Sequence, residues 1–123
     1  MSFNRVDFFL KAFASTDNIT DYHKKEKSYS EYIFNIRSLL NQTVSAYLDN
    51  HISKAKEFAT SAYLDNFEYL EKPIDKVTAD QGEDLMRVHL RGQIDAKEPI
   101  DEIIITVDKI NKLLDEVEKK LEL

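Results

Sequence analysis

Apolar residues recur every three or four positions over most of this chain, the spacing of one face of an α-helix. In the opening segment they fall at Phe3, Val6, Phe9, Leu10 and Phe13, with Phe8 beside them, and Ser2 can cap the helix they predict. Ser15-Thr16-Asp17-Asn18 ends that element and a polar connector follows. The pattern resumes at Tyr29, Ile33, Ile36, Leu40, Val44 and Tyr47, then at Ile52, Ala55, Phe58, Ala62 and Leu70. The first proline is Pro73 and the first glycine is Gly82, so residues 28–72 contain neither of the strongest backbone punctuators.

Two readings of that stretch compete. One is a single helix of over forty residues, about 65 Å long at 1.5 Å per residue. The other turns at Leu48-Asp49-Asn50-His51-Ile52-Ser53, where Asn50 or Ser53 could cap a new helix. An exact hexapeptide repeat bears on the choice: Ser45-Ala46-Tyr47-Leu48-Asp49-Asn50 returns as Ser61-Ala62-Tyr63-Leu64-Asp65-Asn66, sixteen residues later. A continuous helix rotates the second copy by about 160° and leaves Leu64 exposed or in need of a partner chain. A turn lets both copies face one core.

Pro73 suits the first turn of a third helix, whose apolar residues Ile74, Val77, Leu85, Met86, Val88, Leu90 and Ile94 cover a broad arc. Gly92 falls within that arc, where it can admit a close neighbouring helix. Asp80, Asp84, Arg87 and Arg91 form the opposite, solvated stripe, and Arg87 with Arg91 is a candidate anion site. Pro99 opens a last helix in which Ile100, Ile103, Val107, Ile110, Leu114, Val117 and Leu121 keep a heptad alternation. Ile104 and Leu113 make that stripe too wide for a two-helix seam, which favours burial inside the chain's own bundle. The expected architecture is all-α: one domain over residues 1–123, with residues 1–27 as a short N-terminal helix or arm with its connector. Residues 28–123 form an antiparallel bundle of four helices near 28–49, 52–71, 74–97 and 99–121.

Composition narrows the function classes. An apolar fraction of 42% with 33% charged residues is that of a folding chain. Absence of cysteine removes disulfides, thiolate nucleophiles and cysteine metal sites. Neither a signal peptide nor a membrane span is visible, so a cytoplasmic location and no membrane partner are expected, and the sequons at Asn18 and Asn41 carry no weight. The net charge is −6, distributed as +1 over residues 1–27, −2 over 28–72, −2 over 73–98 and −3 over 99–123. With no strongly basic segment, nucleic acid is a disfavoured partner. The local exception, His23-Lys24-Lys25-Glu26-Lys27, offers Lys24, Lys25 and Lys27 as a docking patch on an otherwise solvated connector. All thirteen aromatic residues lie between Phe3 and Tyr69. They can pack against the aliphatic C-terminal helices, and Phe8, Phe9 and Phe13 can alternatively form a partner-binding face.

Assembled reactive chemistry is hard to find. His23, His51 and His89 form no i,i+4 pair, the acids around Gly82 lack the calcium-loop order, and two glycines cannot build a phosphate-cradling loop. No metal or cofactor is expected. Glu68-x-x-Glu71 followed by Glu98-x-x-Asp101 is similar to the carboxylate pattern of MazG-type nucleotide pyrophosphohydrolases, whose carboxylates would hold magnesium on neighbouring helices. Here Lys72-Pro73 and Pro99 make both pairs straddle helix ends. Val88-His89-Leu90-Arg91-Gly92 resembles, one residue short, the His-x-Leu-Lys-Gly of histidine phosphotransfer domains, which would make His89 a phosphate acceptor. At 100° per residue, however, His89 lies between Leu85 and Met86 on the apolar arc, where a half-buried imidazole is expected. The leading expectation is a non-catalytic interaction or regulatory module, not an enzyme, binding protein and including a second copy of itself among its candidate partners.

Overall fold

The computed structural model describes residues 27–123. Helix α1 spans Tyr29–Leu48 and α2 spans Ile52–Leu64. A single 3₁₀ turn, Phe67–Leu70, precedes α3, which runs through three consecutive stretches: Lys76–Glu83, a π-helical Asp84–Leu90, and Arg91–Asp95. Helix α4 spans Ile100–Lys120. The described residues contain no strand, and the helices form an all-α bundle. Sequential neighbours run antiparallel, because Lys56 near the start of α2 pairs with Asp95 at the end of α3, and Lys120 at the end of α4 pairs with Asp75 at the start of α3. Arg37 of α1 closes the ring by bonding Asn111 and pairing with Asp115 and Glu118 of α4. No helix among the described residues is long and apolar enough to cross a membrane.

Helix α1 starts where its cap dictates. The Ser28 hydroxyl accepts the Glu31 amide at 3.1 Å while the Glu31 carboxylate accepts the Ser28 amide at 2.8 Å, a reciprocal capping box. Its buried stripe is Ile33, Ile36, Leu40, Thr43 and Ala46. The chain then turns at Asn50, so the two-helix reading of residues 28–72 holds. Asn50 takes a left-handed conformation (φ 63°), its amide bonds the Tyr47 carbonyl, and the His51 amide bonds the Ala46 carbonyl. This is a Schellman termination with asparagine in the position that usually belongs to glycine. Lys97 (φ 55°) ends α3 in the same way, its amide bonding Ile94 and the next amide bonding Gln93.

Leu64 departs from expectation. It stays 45% exposed and Leu48 62% exposed, although the helix is broken. In both hexapeptide copies it is the alanine and tyrosine that turn inward: Ala46 and Ala62 are buried, Tyr63 is buried and Tyr47 half-buried. The first copy ends α1 and the second ends α2, so each copy presents the same pair of side chains to the core.

The third helix shows the largest departure. Its core residues Gly82, Met86, Leu90 and Ile94 are four apart, a period a regular α-helix can keep on one line only by drifting about 40° per step. The π-helical stretch widens the turn to restore the alignment. Val88 consequently leaves the core, at 60% exposure, and His89 is exposed instead of half-buried, while Val77, in the α-helical first turns, is also out of the core at 67%. The helix also begins later than Pro73 predicts, at an Asp75 cap that accepts the Thr78 amide and hydroxyl. The two glycines exchange their expected roles. Gly92 is exposed and has open space around it, whereas a Cβ on Gly82 would sit 2.1 Å from the ring of buried Phe67.

Helix α4 follows its sequence closely. Ile103, Val107, Ile110, Leu114 and Val117 are buried, with Ile100 and Leu121 half-buried at its ends. Leu113 widens the stripe as expected, while Ile104 remains 40% exposed. The heptad is thus satisfied within the bundle.

Candidate interaction surface

The bundle's two ends differ in kind. At the end where α1 meets the α3–α4 turn, polar groups close the structure: the Tyr47 hydroxyl donates to the Glu98 carbonyl, and the buried Gln93 amide donates to the Glu98 carboxylate at 3.1 Å and to the Glu102 carbonyl at 3.3 Å. At the opposite end, aromatic side chains stand in the open.

That second end is built by α1's first two turns and the 3₁₀ turn. At three residues per turn, burial of Phe67 and Leu70 on the inner side forces Glu68 and Tyr69 outward. Tyr69, 57% exposed, stacks on Tyr32 with centroids 5.2 Å apart and planes 5° from parallel. Tyr29 is 42% exposed one turn earlier. A groove of about 470 Å³ runs between Tyr29, Tyr32, Tyr69, Lys72 and Pro73. On the other flank of α1, Phe34 is 69% exposed and lines a second depression with Lys27, Ser30, Glu31 and Asn35. Lys27 spans the two, its ammonium 5.8 Å from the Tyr32 ring centroid.

An acidic flank adjoins this corner. The buried Tyr63 hydroxyl donates to the Glu71 carboxylate at 3.0 Å. Desolvation raises the Tyr63 pKa, and the charges of Glu71, Glu83 and Glu68 add to it. Glu71 is raised above its ordinary 4.5, first by desolvation and then by Glu83, Glu68 and Asp80, against the opposing pull of the Tyr63 hydroxyl. Asp75, beyond them, moves the other way, to about 2, chiefly because the Thr78 amide and hydroxyl bond its charged form. No group of three or more histidines and carboxylates among the described residues could hold a metal ion.

Of the residues singled out in the sequence, Phe8, Phe9, Phe13, Lys24 and Lys25 lie outside the described residues, and Lys27 lies on the aromatic corner. Arg87 is taken up by Glu83 at 2.9 Å. Arg91, one turn on, is half-buried with its Nε sealed from solvent and without a hydrogen-bond partner. The carboxylate pairs do not converge: Glu68 and Glu71 sit at the aromatic end, near the Asn66 that bonds Asn35, whereas Glu98 accepts from Tyr47 at the other. The twelve residue steps from Asn35 to Tyr47 separate the two ends by about 18 Å along α1. The exposed aromatic set was partly visible in the sequence, since Phe34 lies off the Ile33, Ile36 and Leu40 stripe. Tyr69 was hidden by reading residues 52–71 as α-helix. No protein-family model, curated protein or solved structure matches this chain.

Proposed function

We propose that this chain is a non-catalytic interaction module that docks a protein partner on the aromatic end of its bundle. The observation that carries the reading is the clustering there of Tyr29 and Tyr69, 42% and 57% exposed, around the stacked Tyr32–Tyr69 pair, with Phe34, 69% exposed, on the other flank of α1. Aromatic side chains supply large rigid contact area and are enriched at the centres of interfaces, so such a cluster is a candidate hot spot. A Tyr29→Ser/Tyr69→Ser double variant of the full chain tests it by quantitative affinity enrichment, with Leu48→Ser, at the opposite end, as the control. Proteins retained by the wild type and the control should fall at least tenfold on the aromatic variant. Equal retention on all three overturns the reading.

The exposure of His89 favours a second reading, phosphotransfer. The π-helical stretch turns this imidazole to solvent, and Gly92, three residues on, leaves open the space a side chain would fill. An accessible imidazole can displace a receiver's aspartate from phosphorus and carry the phosphoryl group on nitrogen. Incubation with a phosphorylated receiver should then give an acid-labile phosphate that His89→Gln abolishes. Absence of label on the wild-type chain removes this reading.

A further inference from the structure

We infer that the aromatic corner is covered in cis by the chain's own residues Phe3–Phe13, which a partner must displace. The inference rests on the reading of that corner as a docking surface and names its first occupant.

Position favours it. Helix α1 is fixed at its start by the Ser28–Glu31 capping box, so everything before Lys27 joins the bundle at this corner, and Lys27 itself already lies over the Tyr32 ring. Pattern favours it too. Phe3, Val6, Phe9, Leu10 and Phe13 recur at helical spacing, which gathers them on one face, and the groove between Tyr29, Tyr32, Tyr69 and Pro73 is an aromatic surface for such a face.

Reach and charge agree. The thirteen residues 14–26 can span up to about 43 Å when extended, more than a return to the groove requires. A tether of that length holds its end at an effective concentration in the millimolar range, so the segment competes well against ligands in solution. Residues 3–13 carry Arg5 and Lys11 against Asp7, a net +1, and residues 27–123 carry −6. Lys72 lines the groove, and Glu68 and Glu71, its neighbours along the chain, are carboxylates that Arg5 and Lys11 of the segment can pair with.

The full chain allows a direct test, because it has no cysteine and a single Asn4→Cys substitution gives a unique attachment point for a nitroxide. In a ¹⁵N-labelled sample, the nitroxide should reduce the amide signals of Tyr29, Tyr69 and Lys72 by at least half. Signals near Tyr47 and Lys97, at the other end, should keep their intensity. Adding Phe9→Ser/Phe13→Ser to the same labelled chain should restore the corner. Unreduced corner signals, or equal losses at both ends, overturn the inference. A nitroxide chain without ¹⁵N, mixed with a ¹⁵N chain without nitroxide, separates cis from trans: corner losses in the mixture mean that a second copy supplies the segment, which also overturns it. Its failure is distinguishable from that of the functional reading. Unreduced signals alongside partner loss in Tyr29→Ser/Tyr69→Ser leave the docking surface standing without its cis occupant. Reduced signals alongside an unchanged partner profile leave the reverse.

Discussion

The two copies of Ser-Ala-Tyr-Leu-Asp-Asn occupy opposite ends of the bundle and finish their helices differently. Up to the aspartate they behave alike: alanine and tyrosine face inward, leucine faces outward, and Asp49 and Asp65 stand at the C-caps. They diverge at the asparagine. Asn50 is exposed and left-handed, closing a tight turn after which α2 begins at Ile52. Asn66 is 3% exposed with φ −136°, and its side chain donates to the Ser61 carbonyl while accepting from Asn35. The residue that follows makes the difference. His51 is exposed and leaves the turn free to be short, whereas Phe67 must reach the core against Gly82, and a 3₁₀ turn carries it there. The repeat therefore sets which side chains face inward, while tertiary packing sets how the chain leaves the helix. The longer exit is also what exposes Tyr69 at one end of the bundle.

The contrast can be broken most strongly at Phe67. Phe67→Ala should lower the unfolding free energy in urea by about 3–5 kcal/mol, as for a fully buried aromatic, while His51→Ala at the equivalent place stays within about 0.5 kcal/mol. Gly82→Ala should cost about 1–3 kcal/mol through overpacking against that ring, and combining it with Phe67→Leu should recover part of the loss relative to the sum of the single changes. The asparagines come next. Asn66→Ala removes two buried hydrogen bonds and should cost about 1–3 kcal/mol, against less than about 1 kcal/mol for Asn50→Ala. Asn50→Gly relieves a left-handed residue and should raise stability by about 0.5–1 kcal/mol, whereas Asn66→Gly should not.

The smallest expected effect is in pH dependence at the aromatic end. Glu71 holds its proton to higher pH folded than unfolded, so its ionisation reduces stability as pH rises from 4.5 through the raised value. Glu71→Gln should therefore raise the melting temperature at neutral pH and lose that gain below about pH 4. Asp75 has the opposite sign. Its contribution is present above 3.8 and disappears as pH falls through about 2, so Asp75→Asn should flatten the acid limb of the stability profile.

Much of the fold was legible because most segments obey a regular helical period. The heptad from Ile100 to Leu121 translates directly into burial in α4, and the turn at Asn50 was visible as one of two alternatives. What escaped was whatever departs from 100° per residue. The π-helical stretch moved Val88 and His89 outward and aligned Met86, Leu90 and Ile94, an adjustment driven by packing that no local residue announces. The same limit hid Gly82, whose role depends on Phe67 arriving from fifteen residues away. Of the candidate interaction surface, Lys27 was legible as part of a basic connector. Tyr29 was not, because an apolar residue at the end of a helix keeps the core spacing while running past the edge of the core, and Tyr69 was not, because it is exposed by a 3₁₀ turn where the pattern predicts α-helix.

The central claim, that one end of the bundle is the docking surface and the other is closed, is tested most directly by site-specific photo-crosslinking in cells. A photoreactive phenylalanine analogue at position 69 should yield covalent adducts, to residues 1–26 or to a partner protein, whereas the same analogue at position 48 should yield few. Adducts formed equally at both positions, or at position 48 alone, would contradict the account.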